Sequence, residues 1–282
     1  MEQLTDPYEM FLISSYYYST SESLGNNSVA LVLTADFESV RLDSVLLIAW
    51  NNESNILKNV KLQRITPHNV CRWISIFMTA ETLPNLNKLA LSLGNMYVEI
   101  PFKLPVRKKH EVVTCVAPLF ANEQWQIAIF AAHTYRRSMV APVFELLKEY
   151  EKENYLTIQP WLRIRLLTIS EQRFNPNINI EFRNQAAAQT DCLLQYKESA
   201  SYITFMDLDD VLLPRLGRTY FEEFTQLFFS MPNVAFLHYT KENVRVEGGQ
   251  CILVQNCLYQ LNPFDYRSYN SIYKLKSYFP KQ

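Results

Sequence analysis

The stretch Tyr202-Ile203-Thr204-Phe205-Met206-Asp207-Leu208-Asp209-Asp210-Val211-Leu212-Leu213-Pro214 constrains this chain more than any other. A β-branched and aromatic run leads into three carboxylates within four residues, then a second apolar run closed by proline. The first run predicts a buried strand, so the carboxylates fall where that strand ends. Open α/β sheets bind ligands outside the carboxyl ends of their strands. Asp207 and Asp209, at i and i+2 on an extended backbone, point to one side and can share a hard cation. Such a cation suits phosphate oxygens. Three negative charges this close repel each other, which itself favours a bound cation. The plainer alternative is a surface turn whose aspartate caps the next helix. The strongly apolar flanks count against it, because they put the cluster at the mouth of a core strand.

Composition narrows the classes. A length of 282 residues suggests one large domain or two smaller ones, and 48% apolar residues provide for a real core. With only five glycines and neither GxGxxG nor GxxxxGK[ST], glycine-rich phosphate loops are excluded. A net charge of −1 and a pI near 6.5 argue against nucleic acid or an anionic membrane as partner. The cysteines are Cys71, Cys115, Cys192, Cys251 and Cys257. None has zinc spacing, and the odd count leaves their pairing open. Asn26-Asn27-Ser28 and Asn52-Glu53-Ser54 are glycosylation sequons, which point weakly to a secretory compartment. The start, Met1-Glu2-Gln3-Leu4-Thr5-Asp6, has no basic or apolar signal region. No run reaches the ~18 apolar residues a spanning helix needs. A soluble chain without an export signal is therefore expected.

Residues 1–107 read as an antiparallel β-rich module. Its runs are Phe11–Tyr18, Ser28–Ala35, Ser44–Trp50, Asn59–Ile65 and Met96–Ile100, with turn signals between them. Tyr16-Tyr17-Tyr18 could stack on a sugar, but aromatic strand residues with one face in the core are the stronger reading. The boundary is Pro101-Phe102-Lys103-Leu104-Pro105-Val106-Arg107-Lys108-Lys109-His110, read as a solvated basic linker, with contact to a ligand phosphate as the alternative. From 108 to 250 strands and helices alternate, which predicts an α/β sheet. The expected strands are 111–117, 156–159, 162–166 and 234–239. The expected helices are 123–137, 142–153, 182–197 and 221–229. Only Ser138–Ala141 separates the first two helices, too short for the strand a βαβ unit needs. Residues 251–282 form a divergent tail.

The helix from Glu181 to Cys192 carries three alanines for close packing, with Arg183, Asn184 and Gln185 in its first turn. There, free N–H groups and the helix dipole favour anions. Arg183 and Asn184 are thus candidate diphosphate contacts. Asp191 could bond a ribose or fix Arg183, and a purely structural Arg–Asp pair is an equal alternative. The letters Asp-x-Asp-x-Val-Leu also open haloacid-dehalogenase-type phosphatases, whose first aspartate is the nucleophile. Those enzymes need a downstream lysine and further acidic Mg²⁺ ligands. Here the adjacent pair Glu222 and Glu223 reads as the solvated face of a helix.

Seven blocks occur in order: Cys115-Val116-Ala117-Pro118-Leu119-Phe120, Glu123-Gln124-Trp125, Glu149-Tyr150-Glu151-Lys152-Glu153, Gln159-Pro160-Trp161, Phe182-Arg183-Asn184-Gln185-Ala186, Asp191-Cys192-Leu193 and Phe205-Met206-Asp207-Leu208-Asp209-Asp210. Together they resemble glycosyltransferase family 92 over about residues 10–245. The resemblance implies a GT-A-like nucleotide-sugar-binding sheet with flanking helices behind the β module. It also implies a divalent metal, typically Mn²⁺, a UDP-hexose donor with galactose the known sugar, and a glycan or glycoprotein acceptor. Golgi membranes would be the location, through an amino-terminal anchor absent from this sequence. On matching positions Asp207 and Asp209 would hold metal and diphosphate, Asp210 would support them, and Ala117-Pro118-Leu119 would lie near the uridine. The family pattern stops after about Gly249, short of the expected acceptor side. A shortened, non-catalytic relative is therefore the second reading. Among His238, Glu242 and Asp265 no catalytic base is assigned, and His238 reads as a core histidine.

Overall fold

The computed structural model describes residues 10–37, 45–66, 71–93, 96–118, 143–162, 164, 177–207, 212 and 214–239. They fall into two compact units, one reaching Pro214 and one starting at Arg215. The first is mixed α/β, with two antiparallel sheets and a small parallel one.

The first sheet contains β1 (Met10–Tyr18), β2 (Ser28–Asp36), β5 (Lys61–Arg64) and β6 (Trp73–Glu81), in the order β1-β2-β6-β5. The second contains β3 (Val45–Trp50), β4 (Asn55–Asn59), β7 (Lys88–Leu93) and β8 (Met96–Ile100), in the order β4-β3-β7-β8. All nine residues of β2 are buried, because both of its faces are covered. Alternation sends Val29, Leu31 and Leu33 to one face, where they meet Val45, Leu47 and Leu89 of the second sheet. The opposite face presents Tyr16, Tyr18, Ala30 and Val32 to Ala187 and Leu194 of a helix, α2 (Gln185–Tyr196). A strand buried on both sides reads as a near-continuous apolar run, as Ser28–Asp36 does. The tyrosine trio therefore belongs to the core on both faces: Tyr16, Tyr17 and Tyr18 are all buried. A sugar platform there is overturned.

Beside α2 lies the parallel pair β9 (His110–Val116) and β10 (Ala200–Met206), with Met206 opposite Val116. The Thr204 hydroxyl donates to Thr114 Oγ1 at 3.0 Å. A disulfide between Cys115 and Cys192 ties β9 to α2, a pairing the cysteine count left open.

Several expectations need correction. The region 101–110 has its basic side chains Lys103, Arg107, Lys108 and Lys109 exposed, as a solvated linker would, but its backbone is docked. Lys103 exchanges backbone hydrogen bonds with Ser15 and Tyr17, Val106 N–H donates to the Gln195 carbonyl, and Pro105 is buried. Lys109 Nζ donates to the Glu198 carbonyl, beyond the carboxyl end of α2. The expected run 59–65 splits between β4 and β5, while β6 and β7 went unread. No strand forms over 156–159 or 234–239. The helix expected over 142–153 is α1 (Val143–Lys152). The helix over 123–137, the gap at 138–141, most of 162–166 and the tail from 240 lie outside the described residues.

In the second unit, α3 (Tyr220–Ser230) starts with Thr219 as N-cap, its hydroxyl accepting from Glu222 N–H at 3.2 Å. Glu222 in turn accepts from Arg218 N–H at 2.7 Å, a near relative of the capping box. Glu223 is buried, not solvated. Its carboxylate accepts from the N–H groups of Arg215 and Leu216 and from the Tyr239 hydroxyl. Both glutamates are thereby committed to shaping the helix entry. Gly217 permits this close turn, since a Cβ there would stand 2.7 Å from Glu222 Cβ and 2.8 Å from Glu223 N.

Candidate active site

Asp207 follows immediately on β10, and its partly buried carboxylate stands at the carboxyl end of the parallel pair. Ala117 N–H reaches the Met206 carbonyl at 3.4 Å, so Ala117 and Pro118 continue β9 beside it. The register thus brings Pro118 and Asp207 to one end of the same two strands. Gln185 Nε2 donates to Asp207 Oδ1 at 2.7 Å. One carboxylate oxygen is held from α2, and the other keeps its acceptor capacity.

Gln185 owes its place to an unusual turn. A single turn of 3₁₀ helix, Glu181–Asn184, precedes α2, and Phe182, Arg183 and Asn184 have φ of 45°, 51° and 66°. Left-handed backbone costs a non-glycine residue roughly 1 kcal/mol, so three in succession need outside support. The first sheet supplies it. Glu181 is fully buried and accepts from Ser75 N–H at 2.9 Å. Asn184, also fully buried, accepts from the hydroxyls of Thr34 at 3.4 Å and Ser75 at 3.3 Å. A bridge from Trp73 to Ile180 leads into the turn.

The expected helix over 182–197 therefore begins at Gln185. Arg183 sits in the left-handed turn before it, exposed and without an ion pair among the described residues. Asn184 faces the first sheet. Asp191 lies six residues into α2, about 9 Å along its axis from Gln185, and is buried. It accepts from the Tyr16 hydroxyl at 2.9 Å, in the interface between α2 and the first sheet. Burial and the adjacent Asp191 carboxylate push the Tyr16 phenol well above its ordinary range, so it remains a donor. Arg183 and Asp191 do not pair. Asp209 and Asp210 lie outside the described residues, and among the described residues no three acidic, histidine or cysteine side chains cluster as metal ligands. His238 is exposed and outside any strand, which corrects its reading as a core histidine. Glu242 and Asp265 fall outside the described residues.

Sequence reasoning missed Gln185 and Glu181 as organisers. A glutamine at a helix start and a glutamate in a turn carry no signal of their long-range partners.

The chain belongs to glycosyltransferase family 92: the model of that family, described as Glycosyltransferase family 92, matches residues 110–251. Two Caenorhabditis elegans proteins titled as glycosyltransferase family 92 proteins are similar to it. One is 42% identical over 252 residues, covering 86% of this chain and 50% of the relative. The other is 41% identical over 255 residues, covering 85% of this chain and 50% of the relative. The chain spans about half the length of these relatives. No helix among the described residues is long and apolar enough to cross a membrane.

Proposed function

We propose that β9, β10 and α2 form the donor side of a GT-A-type glycosyltransferase that moves a hexose, galactose in our reading, from a UDP-sugar to a glycan acceptor. The observation that carries this is the Asp207 carboxylate at the end of a parallel strand pair, with one oxygen held by Gln185 and the other free to ligate. Hard carboxylate oxygen is the donor chemistry that Mn²⁺ and Mg²⁺ take. Asp207, with Asp209 and Asp210 following in sequence, would hold the cation, which when bound neutralises and polarises the departing diphosphate.

The chain's own residues supply the rest. Gln185 fixes the Asp207 rotamer before ligand arrives, so little reorganisation remains at binding. Arg183 extends from the turn with a guanidinium open to a diphosphate oxygen. Pro118 and Ala117 border the same strand ends, where the resemblance puts the uridine. Asn184 and Asp191 act indirectly in this reading, Asn184 by shaping the turn and Asp191 by seating α2. The acceptor hydroxyl attacks the anomeric carbon and gives its proton to a base, the carbon–oxygen bond to the diphosphate breaks, and UDP leaves. The closed Cys115–Cys192 bond supports passage through an oxidising compartment such as the secretory pathway, with the Golgi as the proposed site of action.

The test is release of UDP from UDP-galactose with Mn²⁺ present. We expect turnover in the native chain and its loss in Asp209→Asn. Tight UDP–Mn²⁺ binding without turnover would instead identify a binding relative. Hydrolysis of a phosphate monoester with Mg²⁺ would overturn the transferase reading.

A further inference from the structure

Two turns at one end of the β-sandwich share an arrangement that the site does not use. In the β1–β2 connection, Asn27 takes a left-handed φ of 52°. Its side-chain oxygen accepts from the Tyr17 hydroxyl at 3.1 Å, and its carbonyl accepts from Thr82 N–H at 2.6 Å and Thr82 Oγ1 at 2.8 Å. Ser28 is buried and donates to the Gly25 carbonyl. Asn26 stands exposed, with no side-chain hydrogen bond among the described residues. In the β3–β4 connection, the Asn51 side-chain oxygen closes the turn by accepting from Glu53 N–H at 2.9 Å and Ser54 N–H at 2.8 Å. Asn51 Nδ2 donates to the Pro84 carbonyl at 3.0 Å. Asn52 lies exposed at the tip. Its oxygen accepts from Asn87, and its Nδ2 donates to nothing among the described residues. In both turns a neighbouring asparagine carries the structural bonds, and the sequon asparagine is left facing solvent.

The two turns also flank one loop, residues 82–87, through Thr82, Pro84 and Asn87. That places them together at one end of the sandwich. The carboxyl end of α2 reaches the same end, where Lys197 Nζ donates to Ser21 Oγ at 2.6 Å and Ser23 Oγ at 3.0 Å. The amino end of α2 meets Thr34, at the other end of β2, and holds Asp207. Twelve helical residues separate these ends by about 18 Å.

We propose that Asn26 and Asn52 are N-glycosylation sites, so that the sandwich end opposite Asp207 carries two glycans. The co-reactant is an oligosaccharide on a lipid diphosphate, presented by a membrane-bound transferase. Nδ2 bonds to the anomeric carbon, the carbon–oxygen bond to the diphosphate breaks, the lipid diphosphate departs, and the amide proton passes to a base of that transferase. The closed Cys115–Cys192 bond is the second observation, since a disulfide persists in the oxidising lumen where this glycosylation machinery also works. Bulk at this end leaves the strand ends of β9 and β10 open. The proposal does not depend on what those strand ends bind.

The experiment is expression through a eukaryotic secretory pathway, with closure of Cys115–Cys192 verified by non-reducing peptide mapping. The same material is treated with peptide N-glycanase in ¹⁸O-water. We expect two steps of mobility, ¹⁸O-labelled aspartate at positions 26 and 52, and one step lost in each of Asn26→Gln and Asn52→Gln. A disulfide-closed chain with no mobility shift, or with label at only one position, would overturn it.

Discussion

The contact between Tyr16 and Asp191 shows how one hydrogen bond seats a functional helix. A side chain as buried as Asp191 needs a hydrogen-bond donor facing it. Tyr16→Phe removes that donor and leaves the ring. We expect a loss of about 2 kcal/mol, read as a fall in Tm of about 4–8 °C, with Asp191→Asn in the same background recovering part of it. Gln185 is the opposite case. Gln185→Ala should leave Tm within about 2 °C and weaken UDP–Mn²⁺ binding roughly tenfold, the scale of a lost outer contact to a ligand residue. Calorimetry separates the two effects, and equal loss of stability and affinity would make Gln185 a packing residue only. The place of Asp207 at the end of a core strand was legible in the sequence, because an apolar run breaking into aspartates marks where such a strand ends. Gln185 was not, since its partner lies 22 positions away and only the left-handed turn aims it there.

At the level of elements, the entry of α3 is set by Glu223. Burial alone would raise its carboxyl, but the N–H groups of Leu216 and Arg215 and the Tyr239 hydroxyl hold it below the ordinary carboxylate range. Burial and the Glu223 carboxylate push the Tyr239 phenol up to about 12. A lowered folded-state value means that the unfolded chain binds more protons in acid. The stabilisation is therefore present above the ordinary glutamate value and is lost as pH falls through the folded one. Glu223→Gln should reduce hydrogen-exchange protection of α3 by about 2 kcal/mol near neutral pH. The deficit should close below about pH 4. A pH-independent deficit would show that charge is not involved. The sequence could not reveal this role: Glu222-Glu223 on an amphipathic helix looks solvated until the preceding turn, tightened at Gly217, folds its N–H groups back over the second carboxylate. Strand limits were better legible where a mostly apolar or aromatic run carried them, as in β1, β2 and β3. Strand β7, Lys88-Leu89-Ala90-Leu91-Ser92-Leu93, escaped notice because leucine and alanine carry little β signal.

Across the first unit, the order is sheet, sheet, helix, then the parallel pair, and each layer fixes the next. The middle sheet grips α2 through Tyr16, Thr34 and Ser75, α2 holds Asp207 through Gln185, and the Cys115–Cys192 bond locks β9 to the same helix. The β-rich module is therefore part of the foundation of the candidate site. A change of pattern near Arg107 was read from the sequence, but the docking across it was not, because pairing between Lys103 and β1 leaves no mark in local sequence. The central claim is that Asp207 belongs to a metal–diphosphate site built on this foundation. Titration calorimetry of UDP into the chain, with and without Mn²⁺, tests it most directly. We predict binding that requires Mn²⁺ and is lost at least about 100-fold in Asp207→Asn with an unchanged melting profile. Binding of UDP that is indifferent to Mn²⁺, or retained in Asp207→Asn, would contradict it.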